Sequence, residues 1–184
     1  SRLSPRNRAV AEQLQHGGLA TVLFDLLTPE EEVIDQRTGE LRFNIAFLAR
    51  RVLDATRWLR SEPETCRLSV GYFGASTGAA AALVAAAERP SEVAAVVSRG
   101  GRPDLAGESL AGVKAPTLLI VGGNDLEVFD LNEQAMLCLS CEKHLQVIPD
   151  ASHLFEEPGA LEKVGQLARD WFQRHLIAPH NAFE

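Results

Sequence analysis

The stretch Leu68-Ser69-Val70-Gly71-Tyr72-Phe73-Gly74-Ala75-Ser76-Thr77-Gly78, followed by the alanine-rich run Ala79–Ala87, decides how the rest of the chain is read. An apolar run at 67–73 predicts a buried strand, and the alanines predict a helix that Pro90 stops. Between them Gly74-Ala75-Ser76-Thr77-Gly78 fits G-x-S-x-G, the sharp strand-to-helix turn that lifts a serine hydroxyl above the end of a sheet. Both glycines are expected to be needed because a Cβ would collide with the neighbouring strand or helix. A close-packed turn of small residues, with no chemistry, would use the same letters.

A serine hydroxyl is a poor nucleophile until a base takes its proton and a third group orients that base. Partners in the order Ser, acid, His are present. The run Thr117–Gly123 reads as a buried parallel strand that delivers Asn124-Asp125 at its carboxyl end. The next strand-like run, Leu145–Ile148, leads into Pro149-Asp150-Ala151-Ser152-His153. Ser76 and Asp125 stand 49 residues apart, and Asp125 and His153 stand 28 apart, each leaving room for strand–helix units. All three then fall at one edge of the sheet, where open α/β sheets keep their sites. Asn124 cannot act as a charged acid, Glu127 sits later on the loop, and Asp130, with Glu133 three places on, reads as the capping box of the following helix. His144 precedes its strand, while His16, His175 and His180 fall on helix ends or the tail.

These residues carry a resemblance. The motifs GYFGASTGAA, LLIVGGND and DASHLFEEPG make the chain similar to the α/β-hydrolase fold and, within it, to the small cap-less dienelactone-hydrolase-like group, over nearly all of its 184 residues. The resemblance implies a three-layer αβα sandwich with a mostly parallel sheet. It implies Ser76 as nucleophile, Asp125 as acid and His153 as general base. Dienelactone hydrolases proper use a cysteine where this chain has Ser76, so the expectation is ester-type hydrolysis and not the dienelactone itself. The negative oxygen of the tetrahedral intermediate falls to the Thr77 backbone N–H at a helix N-terminus. The implied activity is cleavage of a small ester, thioester or lactone through an acyl-enzyme. Acyl transfer to an alcohol or amine uses the same groups. A hydrolase-like module that binds without turnover is the alternative from a different class.

The resemblance also implies a strand between the segments assigned to 19–27 and 67–73, ending in a glycine-rich turn that lends a second oxyanion donor. Ser1-Arg2-Leu3-Ser4-Pro5 stands where that turn would finish. The expectation is a chain lacking that upstream strand, in which 19–27 and 67–73 either pair directly or leave a gap.

The remaining readings fill in a single α/β domain over 1–184. Residues 4–16 form a helix closed by Gly17-Gly18, with Val10 and Leu14 inward. Asn44 caps a helix to about Arg60 whose stripe is Ile45, Leu48, Val52, Ala55 and Leu59. Val93–Ser98 is a strand, and Pro158 opens a last helix burying Leu161, Val164, Ala168, Trp171 and Phe172. Thr28–Arg42, with Glu30-Glu31-Glu32, reads as a solvated loop or an overhang above the pocket. Arg99 and Arg102 follow a strand on the catalytic edge, where either could hold a substrate carboxylate or pair internally, for instance with Asp104.

Bulk properties narrow the partners. A net charge of −7 argues against nucleic acid, since phosphate binding wants clustered Lys and Arg. No stretch approaches the roughly eighteen apolar residues of a membrane span. Three cysteines, an odd number, favour reduced thiols and a cytoplasmic setting. Cys138 and Cys141 have C-x-x-C spacing with no second pair or matched histidines, so neither a metal nor a cofactor is expected.

Overall fold

The computed structural model describes residues 1–176. Four parallel strands lie in the order β1 (Gly71–Ser76), β2 (Ala95–Gly101), β3 (Thr117–Gly122) and β4 (Lys143–Ile148). Their parallel direction requires crossovers, and the helices α4 (Thr77–Glu88) and α5 (Leu126–Cys138) supply the first and third. A 3₁₀ segment, Pro103–Gly112, serves the second. With α3 (Ile45–Ser61) these elements cover one face of the sheet, around Leu48, Leu83, Val96 and Leu119. The opposite face is covered by α1 (Pro5–His16) and α6 (Ala160–Leu176), around Val10, Ile120, Val164 and Trp171. Strands buried on both faces read as unbroken apolar runs, which is why all six residues of β3 are buried.

Local chemistry sets most element ends. Asn44 accepts the Phe47 N–H at 3.1 Å and so caps α3. In α3 the inward stripe holds for Ile45, Leu48 and Val52, whereas Ala55 and Leu59 are only half-buried because they face a cleft. The last helix begins two residues after Pro158, and Leu161 is half-buried while Val164, Ala168, Trp171 and Phe172 are fully packed.

Four expectations are corrected. Thr28–Arg42 is not a loop: α2 (Pro29–Thr38) occupies most of it, started by a capping box in which Thr28 and Glu31 satisfy each other's backbone N–H groups. Its far end is tied by buried Asp35, which accepts from the Leu41 and Arg42 amides and pairs with the Arg42 guanidinium at 2.6 Å. Asp130 is not a cap either, because α5 starts earlier, with Asp125 in the N-cap position. The third concerns the predicted strand at 19–27. Among the described residues no backbone–backbone hydrogen bond involves residues 20–26, and none of them belongs to the sheet. The strand expected at 67–73 also forms only from Gly71 onward.

Residues 20–26 and β1 therefore do not pair. They flank a cleft of about 740 Å³ lined by Thr21, Val22, Phe24, Ser69, Gly71 and Phe73, among others. Val22, Phe24 and Leu68 are 47%, 40% and 47% exposed, so the gap opens to water. Unpaired backbone groups there can hydrogen-bond to solvent, which removes most of the penalty that a dry gap would carry. No helix among the described residues is long and apolar enough to cross a membrane. His180, assigned to the tail, lies outside the described residues.

Candidate active site

Ser76 occupies the junction of β1 and α4 with φ 50° and ψ −126°, a left-handed conformation that a β-carbon makes costly. The strain leaves the side chain exposed at the carboxyl end of the sheet instead of buried in the turn. Gly74 makes the turn possible: a Cβ there would lie 2.5 Å from the Ala79 Cα and 2.6 Å from the Gly78 carbonyl oxygen. Gly78 differs from the expectation. Its Cβ would meet only the Leu26 Cδ1 at 3.8 Å, an ordinary contact, so helix packing alone does not require glycine at that position. The Thr77 N–H opens α4 beside the Ser76 hydroxyl, where the helix dipole favours negative charge.

Asp125 and His153 come together from separate elements. His153 Nδ1–H donates to Asp125 Oδ2 at 2.6 Å. The carboxylate is mostly covered, with its side chain 15% exposed, while the imidazole is 42% exposed. Because Asp125 spends no side-chain hydrogen bond on capping α5, its carboxylate is available to the ring.

What brings the histidine loop to β3 is a set of contacts that sequence reading missed. Asn124, considered above only as a rejected acid, donates from its side chain to the Asp150 carbonyl at 2.8 Å and from its backbone to the Ala151 carbonyl at 3.0 Å. Gly122 allows the approach, since a Cβ would sit 2.4 Å from the Ala151 oxygen and 2.6 Å from the Ser152 oxygen. The Gly-Gly-Asn sequence at the strand end was the available signal. Asn132 is a further missed residue. Fully buried on α5, it donates to the Gly101 carbonyl at 3.1 Å, and Gly101 is the β2 partner of Ser76. It thereby ties the helix behind Asp125 to the strand beside the elbow.

Ser76 and His153 both line the cleft. Among the described residues no hydrogen bond joins them, and such bonds are commonly long before substrate arrives. The other histidines lie elsewhere. His16 ends α1, and exposed His144, on β4, packs edge-on to Trp171 at 5.5 Å, which in turn contacts His175. Burial holds the His175 imidazole below its usual pKa.

The two arginines separate. Arg102 is paired with Asp104 through two hydrogen bonds of 2.8 and 2.7 Å, which also raise its pKa. That pairing is the internal one of the two alternatives open to Arg102. Arg99 lines the cleft and has no carboxylate within ion-pair distance among the described residues. Cys138 is exposed and Cys141 half-buried, both as free thiols. Among the described residues no cluster of His, Cys, Asp and Glu is arranged to hold a metal.

The model of the dienelactone hydrolase family matches residues 7–176. The chain belongs to the dienelactone hydrolase family. A crystal structure of dienelactone hydrolase from Anabaena variabilis ATCC 29413 is 65% identical, with a TM-score of 0.93 over 96% of this chain and 82% of that one. Two Mycobacterium tuberculosis proteins, from strains CDC 1551 / Oshkosh and H37Rv, are 59% identical over 179 residues, and each is named "Putative phosphoribosyl transferase". The match takes in 97% of this chain and only 40% of theirs, so the chain spans less than half the length of these relatives. A dienelactone hydrolase-like promiscuous phosphotriesterase from metagenomic libraries is 18% identical with a TM-score of 0.73, a likeness of fold. Together the family and the fold support a hydrolase.

Proposed function

We propose that the chain is a serine hydrolase that cleaves a small ester, thioester or lactone. The reading rests chiefly on the Asp125–His153 hydrogen bond, at 2.6 Å, on the rim of the cleft that also exposes a strained Ser76. His153 Nε2 takes the Ser76 proton as the hydroxyl attacks the carbonyl carbon, and returns it to the leaving group as that bond breaks. Asp125 holds the tautomer and stabilises the imidazolium formed between the two transfers. The Thr77 N–H donates to the developing oxyanion. Water then repeats the sequence on the acyl-serine, with His153 again as base.

A fluorophosphonate probe tests the nucleophile. Wild-type protein is expected to label at one serine, and Ser76→Ala to abolish labelling; label persisting in the variant overturns the assignment. His153→Ala is expected to lower p-nitrophenyl acetate turnover by about 10³-fold or more, because removal of a triad member leaves only the oxyanion site and binding. His144→Ala, which disturbs a surface aromatic contact, should stay near wild type. Equal losses would assign the base wrongly.

A second reading, a hydrolase-like module that binds its ligand without turnover, draws support from the unpaired 20–26 segment beside the site. Labelling of Ser76 with no measurable ester turnover would favour it.

A further inference from the structure

Among the described residues the ladder of parallel strands is irregular at one place, and it lies beside the elbow. β1 and β2 pair residue for residue up to Ala75 opposite Arg99, after which Ser76 stands opposite Gly101. Gly100 is the extra residue of this bulge, with φ 48°. Bulges bend their strand locally and are over-represented next to active sites.

What lies against Gly100 is the histidine loop. A Cβ on Gly100 would stand 3.2 Å from the His153 carbonyl oxygen, 3.3 Å from Phe155 Cε2 and 3.6 Å from His153 Cε1. The first two are closer than a methyl carbon normally comes, so the bare α-carbon forms a shelf under both the backbone and the ring of His153. Phe155 keeps the loop there. Its side chain is fully buried in the cluster that holds Ile120 and Val164, and its N–H closes a turn on the Ser152 carbonyl at 3.1 Å. Its own φ is 55°, a conformation that a bulky residue holds only where its surroundings outweigh the cost. Asn124 and Gly122 brace the same loop from β3, so β2 supplies a separate support. That support adjoins Gly101, the partner of Ser76.

We propose that Gly100 and Phe155 are positioning residues for His153. The bulge provides a shelf without a side chain, the buried phenyl ring holds the loop on it, and together they set the spacing between imidazole and Ser76. This rests on the hydrolase reading above and deepens it. The Asp125 bond fixes one ring nitrogen, and a ring 42% exposed can still swing about that bond. Contact at Cε1 limits the swing. A displacement of about 1 Å at a reacting group can cost on the order of 10²-fold in rate.

The test sets two substitutions at Gly100 against each other. Asn tolerates a left-handed backbone better than Ala does, yet carries the larger side chain. A glycine that served only the conformation of the strand would make Gly100→Asn the milder variant in stability and turnover alike. The positioning role predicts a split. Gly100→Asn should melt at or above the temperature of Gly100→Ala but turn over p-nitrophenyl acetate no faster, with kcat down about tenfold or more in both and KM within about twofold of wild type. Turnover that follows melting temperature across the variants overturns the proposal, as does a kcat within about twofold of wild type in both.

A second readout is independent of turnover. The His153 Cε1–H proton resonance should shift in both Gly100 variants and in Phe155→Leu, which keeps an apolar side chain but removes Cε2, while the His144 resonance stays in place. Phe155→Leu carries this measurement where the Gly100 variants do not fold, and an unmoved His153 resonance overturns the proposal. Shifted resonances in a protein whose wild type hydrolyses no ester keep the support and defeat the hydrolase reading; ester turnover with unmoved resonances does the reverse.

Discussion

Two apolar runs, Leu19–Leu27 and Thr117–Gly122, are close in composition and opposite in fate. The second is β3, paired with β2 on one side and β4 on the other, and buried at all six positions. The first has no backbone partner among the described residues through 20–26, with Val22 and Phe24 partly exposed beside an open cleft. Apolar content and β-branching make a segment suited to a pleated, covered surface, but they do not supply the neighbour. The two runs also stand differently to the elbow. β3 carries Asp125 at its end and braces the histidine loop, whereas the open side borders the cleft that Ser76 lines.

The largest effect should come from placing a charge in the packed run. Ile120→Asp buries a carboxylate with no partner at a fully covered position and should abolish cooperative folding, as read by the loss of a thermal transition. Retention of a sharp transition would mean that β3 is less enclosed than its neighbours imply. A smaller and more local loss is expected at the end of the same strand. Gly122→Ala should push the Ala151–Ser152 backbone away from β3 and lower ester turnover by about tenfold or more, while the melting temperature falls only modestly. If stability fell as far as activity, Gly122 would serve the core and not the histidine loop. The smallest change belongs to the open run. Val22→Ala should alter stability by no more than about 0.5 kcal/mol, since half-exposed side chains away from packed contacts contribute little. Amide exchange should follow the same division, slow through β3 and fast through 20–26; protection of 20–26 would show that the segment finds a partner in solution.

Much of this was legible in the sequence, and the parts that were not share a cause. The Gly-x-Ser-x-Gly turn, the cap at Asn44 and the buried run of β3 are local or periodic signals. Each depends on residues within one turn or one strand. The pairing of Asp125 with His153 followed from chain order and the carboxyl ends of parallel strands. Missed features depended on who stands opposite. Asn124 looked inert until the histidine loop lay against it, and Asn132 until it faced the Gly101 carbonyl. Acidic Glu30-Glu31-Glu32 suggested a solvated loop, yet the same charges favour the first turn of a helix when Thr28 caps it.

By itself, the sequence determined the alternation of helix and strand, the elbow that exposes Ser76, and the family to which the chain belongs, because periodicity, small residues and caps act over a few bonds. Only the tertiary structure decided that, among the described residues, 20–26 find no backbone partner and Arg102 meets a carboxylate while Arg99 does not, and that a cleft opens beside the elbow. Those outcomes turn on backbone edges and charges brought together from distant positions, and their energies depend on separation and burial, which are fixed only when the elements pack.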